Sequence, residues 1–113
     1  ATDAPLQPIQ LQRLARRASI GIGRGGTPSG NNSGDIFLAF STANDPGPLP
    51  EPQMHSLQAL GNDSLDSLFM AVVEAVDESV INAMVAAETM HGVNGRIVEA
   101  IDRRWLVQQV MEG

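Results

Sequence analysis

Cysteine and lysine are absent from the chain, and aromatic residues make up only 4% of its 113 positions. Without cysteine there is no disulfide framework, no thiolate nucleophile and no soft metal site, and the redox compartment stays open. All cations are therefore arginine, seven against thirteen acids, for a net charge of −6. That balance excludes a sequence-independent nucleic-acid binder, which needs a basic face to displace counterions. No apolar run approaches the length of a membrane span, and no positively charged leader with an apolar core opens these residues. The segment is expected to be soluble and off the membrane; a leader on a longer precursor, and the compartment, stay open.

What is present is aliphatic. Hydrophobic residues make up 42% of the sequence, so Val, Ile, Leu, Ala and Met must carry any core. A chain of this length is one domain or less, and a free-standing domain of this size would bury about two thirds of its unfolded surface.

In chain order, Pro8 suits a helix first turn, and Leu11, Leu14, Ala15 and Ala18 recur at the spacing that lays one apolar stripe along it. Arg13, Arg16 and Arg17 fall mostly opposite, either a solvated helix face or an anion site, and Gly21 is the expected stop. Gly21-Ile22-Gly23-Arg24-Gly25-Gly26 superficially resembles a phosphate cradle. It follows a helix and precedes a strand, the reverse of a dinucleotide fingerprint, and reads better as a flexible connection.

Residues 64–90 keep a helical period through Leu65, Leu68, Phe69, Val72, Val76, Val80 and Met84, with Asn62, Asp63 or Ser64 as cap and a bend near Asp77 to Ser79. The second half, 80–87, is apolar nearly all round and is expected to be buried on more than one side. Met70, Met84 and Met90 read as core filler, and Glu88 as a charge that is paired or exposed near the helix end. His91-Gly92-Val93-Asn94-Gly95 supplies a stop and turn. Asp102 can cap a last helix with Trp105, Leu106, Val110 and Val107 inward. His55, in a proline-rich excursion, and His91 have no ligand-spaced companions, so neither metal nor cofactor is expected.

The chemistry concentrates in Gly30-Asn31-Asn32-Ser33-Gly34-Asp35-Ile36-Phe37-Leu38-Ala39-Phe40-Ser41-Thr42-Ala43-Asn44. A Gly/Asn/Ser run that tolerates positive φ leads into an apolar run that reads as a strand over 36–43, with Ile36, Leu38 and Phe40 on one face and Phe37, Ala39 and Ser41 on the other. Apolar residues on both sides point to a sheet covered on both faces. Ser33 and Asp35 stand at its mouth, two positions apart, and leave the same face if the backbone there is already extended. Taken alone the pair is a weak signal and reads first as ordinary turn chemistry, each side chain bonding its own backbone.

Three segments carry a resemblance: N-S-G-D-I-F-L-A-F-S-T-A-N, A-T-D-A-P-L at residues 1–6, and N-A-M-V-A-A-E-T-M-H-G at residues 82–92. In this order they resemble the small C-terminal subunit of the β-aminopeptidases and L-aminopeptidase/D-alanine esterase-amidases, self-processing hydrolases with an N-terminal nucleophile. In that family the A-T-D-A-P segment follows directly on a strand S-I-[IV]-V-V-V whose first residue is the nucleophilic serine, so the chain is expected to lack that strand. The resemblance implies that Ser33 and Asp35 lie beside the nucleophile and assist proton movement, with aspartate where some relatives carry glutamate. It implies an α/β fold, part of an α/β/β/α layered sandwich incomplete without a large N-terminal subunit, with residues 1–113 as a partial domain. It also implies a short peptide, amide or ester substrate, cleaved through an acyl-enzyme, and a homo-oligomer.

Two readings follow. In one the chain is a subunit of a serine aminopeptidase or amidase, inactive in isolation. In the other it is a non-catalytic assembly module of the same fold. The absent serine separates them.

Overall fold

The structure, a computed structural model, describes residues 1–45 and 56–112. The proline-rich excursion from Pro46 and His55 lie outside the described residues. The chain divides into two compact units, Ala1–Val76 and Asp77–Gly113. Helices and a small sheet make it an α/β chain.

In the first unit, α1 spans Pro8–Arg24 with Pro at its start, where the missing N–H costs nothing. Gly21 does not stop it. The glycine is buried inside the helix because a Cβ there would stand 2.7 Å from both the Val73 carbonyl oxygen and Val76 Cβ. It is a point of close helix approach, and the helix runs on to Arg24. The Gly21–Arg24 part of the glycine run is therefore helical, neither cradle nor flexible connection.

Leu14 and Ala18 of the stripe are buried, together with Leu6 and Leu65, and Leu11, Leu68, Phe69 and Val72 pack against this core. Gln10 is the one buried polar side chain among the described residues. Its amide nitrogen donates to the Leu60 carbonyl oxygen at 2.8 Å, and its Oε1 accepts from the Gln7 amide at 2.9 Å. Gln10→Ala would leave the Leu60 carbonyl unpaired, at an expected cost of about 1–3 kcal/mol in thermal unfolding; an unchanged midpoint would mean that water reaches that oxygen.

Asn62–Ser64 form a 3₁₀ turn in front of α2, Asp66–Ala86. The helix is four residues shorter at its C-terminus than the periodicity suggests, and Asp77 to Ser79 are helical.

Residues 36–40 alternate between exposed and half-buried as an extended segment would, yet they do not form the strand expected over 36–43. Among the described residues a single parallel bridge, Thr2 with Ser41, joins this segment to another. The Thr2 amide donates to the Phe40 carbonyl at 3.1 Å, and the Thr42 amide to the Thr2 carbonyl at 3.0 Å. Nor are both faces covered. Phe37 and Ala39 are half-buried, whereas Ile36 and Leu38 are 93% and 86% exposed.

In the second unit the latter part of α2 keeps Ile81 and Met84 half-buried but leaves Val80 and Val85 exposed, so the all-round burial expected of 80–87 is not found. Met70 of the first unit and Met90 of the second are also exposed rather than core filler, and Glu88 is exposed. A two-stranded antiparallel hairpin follows, β1 (Met90–His91) with β2 (Ile97–Val98), Met90 opposite Val98. Asn94 and Gly95, at φ 59° and 71°, make its turn, so His91-Gly92 opens a hairpin rather than stopping a helix. The last helix, α3, spans Arg103–Glu112; Asp102 Oδ1 accepts from the Arg104 amide at 2.9 Å, a side-chain N-cap. Leu106 alone is buried on it. Trp105, Val107 and Val110 are exposed, against the expected inward face.

Candidate functional site

A turn of small polar residues leads into the site. The Ser33 amide donates to the Gly30 carbonyl oxygen at 2.8 Å, closing the turn over Asn31 and Asn32. It is entered through Ser29, whose φ of 50° lies in the left-handed region. On leaving the turn, the Ser33 hydroxyl donates to Asp35 Oδ2 at 2.7 Å. The two side chains are thus brought together, and both are exposed. A short hydroxyl-to-carboxylate bond is of the stronger, charge-assisted kind. With its proton directed at Asp35, Ser33 Oγ presents lone pairs to a donor arriving from outside. Gly34, between them, has nothing within 4 Å of where a Cβ would stand, so the space beside the pair is open.

Behind residues 36–40 lies an apolar groove of about 470 Å³, lined on α1 by Leu14, Ala15 and Ala18 and on α2 by Leu68, Ala71, Val72 and Ala75. The alanines give this groove its room; their alternation with larger residues on two facing helices is a signal that hydrophobic periodicity alone passes over. Two polar anchors also went unread in the sequence. Ser41 Oγ donates to the Ala4 carbonyl oxygen at 2.6 Å and accepts from the Ala43 amide at 3.1 Å. Asn44 exchanges bonds of 2.9 and 3.0 Å with the backbone of Gln58.

Two arginines of α1, Arg13 and Arg17, are held on the helix pair. The guanidinium groups of Arg17 and Arg13 stand 4.0 and 5.1 Å from the centre of the Phe69 ring, and Arg13 donates to Asn62 Oδ1 at 3.3 Å. His91 lies on β1, exposed. Among the described residues no three His, Asp or Glu side chains gather as a metal site, and no helix is long and apolar enough to cross a membrane.

Comparison with known proteins adds a family. The model of peptidase family S58 matches residues 1–98. A β-peptidyl aminopeptidase, BapA of Sphingosinicella microcystinivorans, is 46% identical over 101 residues, covering 89% of this chain but 26% of that protein. Among solved structures, the L-aminopeptidase D-Ala-esterase/amidase of Ochrobactrum anthropi is 49% identical with a TM-score of 0.80, covering 96% of this chain and 32% of that one. It is described as a prototype of the serine aminopeptidases and a variant of the Ntn hydrolase fold. A Burkholderia β-aminopeptidase is 39% identical with a TM-score of 0.85, covering 98% of this chain and 33% of that one. The chain thus spans about a quarter of the length of its curated relative and about a third of these solved chains.

Proposed function

Because the chain belongs to peptidase family S58, we propose that it is the small subunit of a serine aminopeptidase or amidase, in which Ser33 and Asp35 serve an amino-terminal serine. That serine stands at the head of the strand preceding Ala1 in a longer precursor. Residues 1–113 are then one part of a domain that a large subunit completes as a layered α/β/β/α sandwich.

The observation that carries this reading is the parallel bridge of Thr2 with Ser41. A strand S-I-[IV]-V-V-V running straight into Ala1 starts seven residues before Thr2. Seven residues before Ser41 is Gly34. Continued in the same register, the strand brings its serine level with Gly34, between Ser33 and Asp35, at the roughly 4.8 Å spacing of neighbouring strands. The bare faces of Ile36 and Leu38 agree with a sheet that continues beyond this chain.

The chemistry starts from a hydroxyl that is a weak nucleophile until a base removes its proton. In an N-terminal residue the α-amine serves, since its ordinary pKa lies near neutrality. Ser33 Oγ accepts one amine N–H while its own proton rests on Asp35, and this aims the amine lone pair at the nucleophile. The serine oxygen attacks the substrate carbonyl carbon, and the ammonium then protonates the departing amine. Water cleaves the resulting ester by the same route in reverse. The same groups serve the cut that frees the serine from its precursor. The donors that hold the oxyanion come from the large subunit. Substrates are short peptides, amides or esters with a free amino end.

The test is reconstitution. The isolated 113 residues are expected to give no turnover of amino-acid p-nitroanilides, while the full-length precursor cleaves itself and then hydrolyses them. Turnover by the isolated chain would overturn this assignment, and so would a precursor with no serine before the A-T-D-A-P segment.

A further inference from the structure

We propose that Ser41 is a positioning residue, pinning the register in which the segment entering at Ala1 lies along residues 36–41. The proposal rests on the reading above.

A parallel ladder does not choose its own register. Its backbone bonds are evenly spaced, so a shifted strand makes the same number of them. Here only two such bonds exist, at Thr2 and Thr42, and a run of valines ahead of Ala1 would add no preference of its own. A slip of one residue moves the incoming strand by about 3.3 Å and turns every side chain to the other face. Such a slip shifts the amine of a terminal serine by a full residue along the Ser33 and Asp35 pair and reverses the face on which its hydroxyl stands.

Ser41 supplies what the ladder lacks. Its hydroxyl donates to the Ala4 carbonyl oxygen at 2.6 Å and accepts from the Ala43 amide at 3.1 Å, so a single oxygen ties residue 4 to both 41 and 43. Pro5 follows directly and brings no N–H, so the ladder ends here and the Ala4 carbonyl is left to a side chain. The position is half-buried, which shields the bond from competing water. In any other register this hydroxyl and this carbonyl are separated, at the cost of two unpaired polar groups. Its neighbour makes no such claim. Thr42 Oγ1 approaches the Thr2 carbonyl only to 3.5 Å, beyond a useful bond.

The experiment uses the full-length precursor with four variants: Ser41→Ala, Ser41→Thr, Thr42→Val, and Ser33→Ala with Asp35→Asn together. Self-cleavage, kcat, KM, the pH profile of kcat/KM and the melting temperature are read for each. Ser41→Ala is expected to slow self-cleavage and lower kcat by about 100-fold, the scale of an ångström-size misplacement of reacting groups. KM should change little, and the acid limb of the profile should move as the amine loses its neighbours. Ser41→Thr, which keeps the hydroxyl, should recover most of kcat, and Thr42→Val should behave as wild type.

If Ser41→Ala lowers the melting temperature but keeps kcat and the pH profile, the bond is a packing feature and the proposal is overturned. Should the alanine variant precipitate, Ser41→Cys replaces it, similar in size but a poor donor, with the same two outcomes. The double variant separates the layers. If it abolishes activity while Ser41→Ala does not, only the register proposal falls; if it remains fully active, the assignment of the site falls and takes this proposal with it.

Discussion

Replacing Ser33 by alanine and Asp35 by asparagine together, in the full-length precursor, is expected to slow hydrolysis of an amino-acid p-nitroanilide by about 10²–10⁴-fold, the usual yield of positioned proton transfer. The two groups are joined by a 2.7 Å bond, so they should behave as a unit. Ser33→Ala alone is expected to cost nearly as much as the pair, since groups that act together are not additive. Asp35→Asn should cost less. An amide oxygen can still accept the Ser33 proton, though without the charge that strengthens the bond. The loss should appear in kcat, because on the proposed reading the pair would touch the amine of the nucleophile and not the body of the substrate. Full activity in the double variant would end the catalytic assignment and leave the pair as the turn closure that Ser-Gly-Asp so often forms.

A marked effect on stability is expected at Gly21, where one added methyl group has no room. Alanine is ordinarily the better helix former by about 1 kcal/mol. At this position its Cβ would come within 2.7 Å of the Val73 carbonyl oxygen and of Val76 Cβ. A backbone oxygen cannot rotate away as a side chain can, so α1 and α2 must separate. Overpacking of this kind typically costs about 1–3 kcal/mol, and the separation also loosens contacts along the rest of the crossing. Gly21→Ala is therefore expected to lower the unfolding midpoint of the full-length protein, and Gly21→Val to lower it further. Leu65→Ala provides the scale, since truncating a fully buried leucine costs about 2–5 kcal/mol. An unchanged or raised midpoint in Gly21→Ala would show that the helices do not meet this closely.

The same glycine shows where sequence reading succeeds and where it stops. The stripe Leu14, Ala18 and the proline start of α1 were legible because they follow from a period and a local cap. Gly21 was not, since a glycine near a plausible helix end looks the same whether it breaks the helix or admits a neighbour. Asp102 announced its helix by the same local logic that the structure displays. Trp105 and Val110 did not announce their exposure, because size and apolarity give no information about what covers a side chain.

The strand at 36–43 follows the same rule. Its alternation is visible in the letters, and Ala39 does pack against the core, with Phe37 half-buried. Whether a ladder forms depends on residues far away in sequence, and among the described residues Thr2 alone bridges to it. The contact of Ser33 with Asp35 was legible as a spacing. Their chemistry was not, since a turn and a proton relay use the same two residues.

The nearly bare side chains of Ile36 and Leu38 bear on how such a protein must be made. Extended backbone with uncovered aliphatic residues is a template for joining its own copies, and free copies of this chain would stack in the cell before they met anything else. On the proposed reading, a polypeptide that carries both halves would escape that competition, because the covering strand would be tethered at high local concentration from the moment of synthesis. On the same reading, cutting the link only after folding would be a matter of sequence in time: the sticky edge would never be released into solution.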